Sequence, residues 1–196
     1  GGSTTDTITL NFDSTAAAIT GIEGTINGTT DTEVINIIDS SGGAAANTVT
    51  FEEVIGGTTA IDTIAVGSTD NEGGAAFGAN VTATNLTVNA GGAAGETGAV
   101  SFAAGTTATI TNITVTGGGA NANQDSVITV TDAIIAATTI TLDDATGQAS
   151  IDINTSADRA FGGTVDGGSA GEGTITIDDS SGGAADTVAF SGNIGG

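Results

Sequence analysis

The chain has 196 residues, in which 23 Asp and Glu side chains stand against one basic side chain, Arg159, for a formal net charge of −22. This balance argues against nucleic acid and anionic membrane surfaces as partners, because both need Lys and Arg to neutralise phosphates. The sequence has no His, Cys, Lys or Tyr, so only carboxylates and hydroxyls are present as catalytic groups. We therefore expect that the protein is not an enzyme. No stretch approaches the roughly 18 consecutive apolar residues that mark membrane insertion.

The first predicted strand lies at residues 6–12, where apolar and polar side chains alternate with the period of a strand that has one buried face. Ile8, Leu10 and Phe12 are expected to point inward. Residues 34–37 follow Ile8 at an offset of about 27 residues, which indicates that a repeat starts at the beginning of the chain.

A passage at residues 40–57 begins with a Ser-Ser-Gly-Gly turn cluster, continues into a strand-like Thr-Val-Thr-Phe stretch and ends in Ile-Gly-Gly. It recurs at residues 177–196, where the same turn cluster leads into Thr-Val-Ala-Phe and the segment again ends in Ile-Gly-Gly. A similarity of this length is not expected by chance, even in so biased a composition. We call these segments the first and second copies of the repeated passage.

One strand pattern occurs three times in the middle of the chain, with Leu86, Ile113 and Ile140 about 27 residues apart. A second strand-like run follows each copy. The pattern loosens at residues 154–173, where Phe161 and two Gly pairs predict an inserted loop. The three copies and the runs that follow them are residues 81–88, 99–102, 108–115, 127–130, 136–142 and 150–153.

The repeat predicts an all-β protein, because Thr, Val and Ile favour strands and no segment shows helical periodicity. We predict a single β domain over residues 1–196, folded as a parallel β-solenoid of about seven coils of about 27 residues each. The alternative is an antiparallel β-sandwich or jelly-roll subunit with donor-strand exchange. The repeat units are expected to begin near residues 6, 33, 62, 84, 111, 138 and 173. Their equivalent core positions are Ile8, Ile35, Ile64, Leu86, Ile113, Ile140 and Ile175.

The second copy of the repeated passage resembles the Thr/Gly/Ala/Asp-rich β-solenoid regions of microbial S-layer proteins and repeats-in-toxin surface adhesins. Gly182, Gly183, Asp186 and Val188 match the Gly-Gly-x-Gly-x-Asp-x-hydrophobic-x pattern of that class. The third Gly of the pattern is missing, and the Asp comes one position early. The resemblance implies a cell-surface solenoid that binds Ca²⁺ at its corners.

Carboxylates cluster at predicted strand ends, where Ca²⁺, which takes six to eight oxygen ligands, would find them together with turn carbonyls. Asp39, Asp143 and Asp178 follow strands that we predict to be equivalent, so they are expected to meet at one edge. The alternative interpretation is that these are solvated loop charges that keep the protein soluble. The candidate Ca²⁺ ligands are Asp39, Asp143, Asp144, Asp178, Asp179 and Asp186.

Five Asn-x-Ser/Thr sequons are candidate glycosylation sites. In a chain so rich in Thr, a part of them is expected from composition alone. Asn85 and Asn112 occupy equivalent repeat positions, so an inward-facing asparagine ladder would compete with glycosylation there. The sequons begin at Asn27, Asn80, Asn85, Asn112 and Asn154.

We expect an extracellular structural protein of the cell surface that assembles head-to-tail with copies of itself into a filament, fibre, S-layer or biofilm matrix. Its partners would be itself and the cell surface or other surface polymers. The expected assembly residues are Thr7, Ile8, Thr9, Leu10, Asn11 and Phe12 near one end and Thr187, Val188, Ala189 and Phe190 near the other. The alternative is a calcium-dependent adhesin or an ice-binding module. The Thr face of that alternative would consist of Thr82, Thr84, Thr109, Thr111, Thr138 and Thr139.

Overall fold

The computed structural model describes residues 7–15, 17–30, 32–41, 46–118, 124–144, 147–179 and 185–195. These residues form sixteen β-strands and contain no helix. In chain order the strands are β1 (Thr7–Asp13), β2 (Ile19–Ile22), β3 (Thr32–Ile38), β4 (Thr48–Phe51), β5 (Ile61–Val66), β6 (Gly73–Phe77), β7 (Val81–Asn89), β8 (Gly98–Phe102), β9 (Thr107–Thr116), β10 (Ser126–Thr131), β11 (Ile134–Asp143), β12 (Ala149–Thr155), β13 (Arg159–Phe161), β14 (Thr164–Gly167), β15 (Thr174–Asp179) and β16 (Val188–Phe190).

The strands form two parallel sheets, and the chain alternates between them as it winds. The first sheet has the order β1-β3-β5-β7-β9-β11-β13-β16, with β14 also paired to β11. The second sheet has the order β15-β12-β10-β8-β6-β4-β2. Each strand therefore pairs with the strand one coil away, which defines a parallel β-solenoid. The antiparallel sandwich alternative is wrong, because the pairs of named strands are parallel.

The first sheet has one rung more than the second. β13 pairs with the start of β11 and β14 with its end, so these two short strands share one rung. Beyond them, β16 and the bridge from Val165 to Ile194 form the last rung. The solenoid makes about six full turns between the first and last rungs of the second sheet, one fewer than the seven coils predicted.

The pairing register confirms the central repeat and corrects both of its ends. Leu86 pairs with Ile113, and Ile113 pairs with Ile140, as predicted. At the start of the chain the partner of Ile35 is Leu10 rather than Ile8. Ile175 pairs with Ile151 of the second sheet, so the unit predicted to begin near residue 173 starts on the opposite side of the solenoid. The predicted loop at residues 154–173 contains β13 and β14, which supply the intervening rung of the first sheet.

The long strands of the first sheet are interrupted at one position in each coil. Between Ala83 and Asn85 the ladder skips Thr84, and the same skip recurs one coil later at Thr111 and again at Thr138. At these points two consecutive side chains avoid the core. Because a straight strand alternates its side chains between two faces, we infer that each long strand turns a corner there.

A single apolar cluster fills the solenoid from the second coil to the last. In the second sheet Phe51, Phe77 and Phe102 stack with centroid distances of 5.5 and 5.4 Å. Offset stacking of this kind adds about 0.5–1.5 kcal/mol per pair beyond the burial of area. The core is therefore a set of side-chain columns that run along the solenoid, with one member from each coil.

Candidate functional site at the two ends of the solenoid

The first-coil end is the surface formed by the free edges of β1 and β2. Both strands are terminal in their sheets, so each has a paired neighbour on one side only. On β1 the apolar side chains of Ile8 and Leu10 are 42% and 41% exposed. The equivalent inward positions of β3, one coil further on, are buried. This end therefore presents apolar side chains together with backbone N–H and C=O groups that have no strand partner among the described residues.

The last-coil end is the surface formed by the free edges of β15 and β16 together with Ile194. These strands are terminal on the opposite side of the two sheets. Ile177 of β15 is 51% exposed and Ile194 is 55% exposed. The last coil thus resembles the first: within the described part of the chain its strand edges have no further partner, and its apolar side chains are exposed.

One core column shows how abruptly burial stops at both ends. Its six interior members are at most 3% exposed, whereas the terminal members, Leu10 and Ile194, are 41% and 55% exposed. In order along the solenoid the column contains Leu10, Ile35, Ile64, Leu86, Ile113, Ile140, Val165 and Ile194.

Small cavities open at both ends. At the first-coil end a cavity of about 100 Å³ is lined by Ile8, Leu10 and Ile26 among others. At the last-coil end a cavity of about 200 Å³ is lined by Ile175 and Ile194 among others. Both cavities have mixed linings, since Glu33 lines the first and Asp166 and Glu172 line the second beside the aliphatic side chains.

The structure places the predicted assembly residues at opposite ends of the solenoid. Residues 7–12 lie in β1, and residues 187–190 lie at β16. The predicted assembly residues did not include β2 and β15, which complete the two end surfaces. The exposed residues Ile177 and Ile194 belong to the second copy of the repeated passage. The first copy is largely buried inside the solenoid, so the similarity of the two copies was the sequence signal that could have identified the last-coil end.

The candidate Ca²⁺ ligands do not meet at one edge, because β15 belongs to the second sheet. Asp39 and Asp143 lie at the ends of β3 and β11 in the first sheet, whereas Asp178 lies on β15. In the part of the chain that the structure describes, no three Asp or Glu side chains are placed to share a metal ion. Ca²⁺ at the corners remains a prediction. The Gly-Gly pairs of the repeated passage, at residues 42–43 and 182–183, lie outside the described residues.

Three of the candidate ligands accept hydrogen bonds from backbone N–H groups at the corners. Asp39, which is fully buried, accepts hydrogen bonds from the backbone N–H groups of Ser41 at 2.9 Å and Asn47 at 2.7 Å. Further candidates act in the same way. They are Asp144, which accepts from the N–H groups of Ala149 at 2.5 Å and Gly173 at 3.2 Å, and Asp179, which accepts from the N–H of Asp186 at 3.2 Å.

The corner bonds of Asp39 also set its ionisation. Burial by itself raises the pKa of this carboxyl, but the hydrogen bonds from the side chains and backbone of Ser41 and Asn47 outweigh burial. The pKa of Asp39 is therefore lowered below its ordinary value. A carboxylate held in this way stabilises the corner only while it is ionised.

Arg159 anchors a local turn. Its guanidinium lies 3.4 Å from a carboxylate oxygen of Asp132. Asp132 also accepts hydrogen bonds from the backbone N–H and the hydroxyl of Ser156, which, with Arg159, lower its pKa. The only basic side chain of the sequence is thus used in a contact between neighbouring coils.

An asparagine ladder occupies the bend of the first sheet. The Nδ2 of Asn112 donates to the Oδ1 of Asn85 at 3.0 Å, and the Oγ1 of Thr139 donates to the Oδ1 of Asn112 at 2.8 Å. The Nδ2 of Asn85 donates to the carbonyl of Asp62 at 3.1 Å. The ladder is half-buried at the bend. Both amide nitrogens donate hydrogen bonds that would compete with glycosylation, which stays a prediction at these two sequons.

The remaining sequons differ in exposure. Asn27 and Asn80 are exposed, and the Oδ1 of each accepts a hydrogen bond from a backbone N–H of the next coil. Asn154 is half-buried within β12. Asn27 and Asn80 therefore offer the most accessible side chains for modification.

A threonine column runs along the outer surface of the first sheet. Thr87, Thr114 and Thr141 are direct neighbours in successive coils. β7 and β9, which carry the first two, contain no charged residue. Of the threonines expected to form a flat face, Thr82 pairs with Thr109, whereas the skipped residues Thr84, Thr111 and Thr138 lie at the bend.

Comparisons with protein-family models, with curated proteins and with solved structures gave no match for this chain. The described residues contain no helix that is long and apolar enough to cross a membrane. The geometry of the described residues defines a parallel β-solenoid with exposed apolar side chains at both ends.

Proposed function

We propose that this chain is an extracellular structural subunit that assembles head-to-tail, with copies of itself, into a filament, fibre or surface layer. One observation carries the proposal: the core columns end at both ends of the solenoid in exposed apolar side chains on unpaired strand edges. Free strand edges pair with further strands unless they are covered or charged.

The energetic case rests on what a joint would bury. Ile8 and Leu10 lie at one end, and Ile177 and Ile194 lie at the other. Full burial of one such side chain contributes about 1.5–3 kcal/mol, and these side chains are between two fifths and three fifths exposed. A contact between unlike ends of identical copies is heterologous, so it continues into an open chain of subunits.

Composition supports an exposed setting. With Arg159 as the only basic residue, the chain offers trypsin-like proteases almost no cleavage site. The net charge of −22 keeps free subunits apart in solution, and cations at a surface would reduce that repulsion. A structural role of this kind needs no catalytic residue, and the assembled protein would attach to the cell surface or to other surface polymers.

The proposal is tested by placing a charge at either end. Leu10→Lys and Ile177→Lys should each abolish assembly of the purified chain, because each places an ammonium group in an apolar joint. Thr114→Lys is the matched control, since it makes the same change in net charge on the side of the solenoid. Sedimentation and electron microscopy provide the measurements. A parent chain that stays monomeric at high concentration, or end variants that assemble like the parent, would contradict the proposal.

A second candidate is a binding face, as in an ice-binding module or a calcium-dependent adhesin. The observation that favours it is the uncharged column of Thr87, Thr114 and Thr141 on the outer surface of a parallel sheet. In that case the chain would stay monomeric with or without a calcium chelator. Thr114→Lys would then abolish binding to ice or to the target surface, whereas Leu10→Lys would leave it unchanged.

A further inference from the structure

The unequal number of rungs in the two sheets determines how two copies can stack. The first sheet begins with β1 and ends with β16, whereas the second begins with β2 and ends with β15. If the first sheet of one copy continued into the first sheet of the next, the second sheet would lack one strand between β15 and β2. Each coil has three sides, because the long strands of the first sheet turn a corner: β16 stacks on the start of those strands, whereas β1 and Ile194 stack on their end. A rotation by about one third of a turn removes the gap, because β1 of the next copy then lies on β15, β2 lies on β16 and Ile26 lies on Ile194.

The repeated passage supports the rotated arrangement independently. The similarity between the two copies begins before the turn cluster. Ile35 and Ile37 precede the Ser-Ser-Gly-Gly run of the first copy, and Ile175 and Ile177 precede that of the second copy at the same distances. The first copy runs from the first sheet to the second, whereas the second copy runs from the second sheet to the first. The two copies are therefore displaced by one side of the coil, about one third of a turn, within one subunit, and the same rotation of the next subunit brings them into phase.

Within each chain, the first coil already packs against the first copy of the repeated passage and the two isoleucines that precede it. Leu10 pairs with Ile35 and Phe12 with Ile37. In the second sheet and at the corner beyond it, the first coil again contacts residues of the first copy. These pairs are Ile19 with Val49, Ile22 with Phe51 and Ile26 with Ile55.

The last coil presents the same residue types at its open end. The second copy has Val188, Phe190 and Ile194 where the first copy has Val49, Phe51 and Ile55. The first coil of the next subunit would thus lie between two coils of similar sequence, one from its own chain and one from its neighbour. The exposed residues Leu10, Ile177 and Ile194 are all covered in this arrangement.

We propose that successive subunits join with a rotation of about one third of a turn about the solenoid axis, so that β15 pairs with β1 of the next copy and β16 pairs with β2. The inference rests on the proposed head-to-tail assembly and adds the register of its joint. The expected contacts of the last coil with the next copy are Ile175 with Leu10, Ile177 with Phe12, Val188 with Ile19, Phe190 with Ile22 and Ile194 with Ile26. Each copy would then rise by about seven and one third turns, or about 35 Å at about 4.8 Å per turn.

Paired cysteines test the register, because the chain has no native Cys. In the rotated joint Thr176 lies beside Asn11 of the next copy, since Thr176 corresponds to Asn36 and Asn11 pairs with Asn36. Both side chains are exposed. Neighbouring parallel strands place Cα atoms about 4.8 Å apart, within the range that a disulfide spans. Asn11→Cys with Thr176→Cys should therefore give covalent multimers on a non-reducing gel after mild oxidation.

The matched control is Thr9→Cys with Asn193→Cys. Asn193 precedes Ile194 as Thr9 precedes Leu10, so this pair is adjacent only when copies stack without rotation. It should give no multimers above the background of single-cysteine variants. Covalent multimers from this pair, or filaments of the parent chain with neither pair linked, would overturn the rotated joint while leaving head-to-tail assembly intact. A parent chain that forms no filaments would instead count against the proposed function itself.

Discussion

At the scale of single residues, the acidic side chains at the corners have a structural part. Asp39 is fully buried at the end of β3 and accepts hydrogen bonds from two backbone N–H groups of the following turn. Asp144 joins the N–H of its own corner to that of Gly173, one coil away. A corner carboxylate therefore stabilises the solenoid because backbone donors that leave the sheet would otherwise be unpaired.

Replacing Asp39 by Asn should make stability less dependent on pH. Because its pKa is lowered in the folded chain, Asp39 contributes its full stabilisation above its ordinary pKa of 3.8 and loses it as the pH falls below that value. At pH 7 we expect Asp39→Asn to lower the free energy of unfolding by about 1–3 kcal/mol. The difference from the parent should shrink below pH 4, as measured by denaturant unfolding across pH. An unchanged difference at pH 3 would contradict this assignment.

Two glycines should respond differently to alanine. At Gly73 a Cβ would lie 2.2 Å from the backbone N of Gly67 and 2.6 Å from the carbonyl O of Ile37, so Gly73→Ala should prevent the two coils from packing. Gly105 has a φ of +80° and no atom within 4 Å of a Cβ. Gly105→Ala should therefore lower the free energy of unfolding by only about 1 kcal/mol, from backbone strain. Thermal unfolding distinguishes the two, and equal effects would contradict the packing argument.

At the scale of strands, the sequence specified the register where the coils have constant length. Leu86, Ile113 and Ile140 were predicted to be equivalent, and they are neighbours in the first sheet. At β1 the pattern could not decide between Ile8 and Leu10, because both point to the same face and a slip of two residues leaves the alternation unchanged. A uniform repeat therefore shows the face of a strand more securely than its register.

The end of the chain was harder to predict because its strands are short. β13 has three residues and β14 has four, and Gly162 and Gly163 separate them. Alternation cannot be recognised over so few residues, so this rung was interpreted as a loop and Ile175 was assigned to the wrong sheet. The end surfaces were predicted only in part for the same reason, since β15 carries half of the last-coil end.

The phenylalanine stack of the second sheet should be the most sensitive element. Phe77 is 2% exposed and lies between Phe51 and Phe102. Phe77→Ala should lower the free energy of unfolding by about 3–5 kcal/mol, because it leaves a cavity that neighbouring coils cannot fill. Phe190→Ala, at the half-buried end of the solenoid, should cost less and should weaken assembly instead. Denaturant unfolding and sedimentation of both variants provide the measurements, and equal destabilisation would contradict this account.

At the scale of the whole molecule, the proposed assembly depends on two opposing effects: burial of the exposed apolar side chains at the ends would favour it, and the net charge would oppose it. Every copy carries a formal charge of −22, and the Debye length falls from about 30 Å at 0.01 M salt to about 8 Å at 0.15 M. We expect the concentration needed for assembly to fall as NaCl is raised over this range, as measured by sedimentation. If assembly were insensitive to salt, charge repulsion would not limit it.

Calcium can be separated from general screening. CaCl₂ and MgCl₂ at equal ionic strength should promote assembly alike if the corner carboxylates act only as solvated or backbone-bound charges. A specific effect of Ca²⁺ that is lost with a chelator would support the predicted corner sites. In that event Asp143→Asn and Asp178→Asn would identify which corner is involved, since Asp39 is committed to backbone donors.

The open ends also determine how such a polymer would grow. A single-file chain of subunits gains one identical contact with every addition, whether two copies meet or a copy joins a long filament. Growth of that type has no nucleation barrier, so elongation should begin without a lag phase. Filament lengths should follow an exponential distribution, and seeding with preformed fragments should not accelerate the reaction.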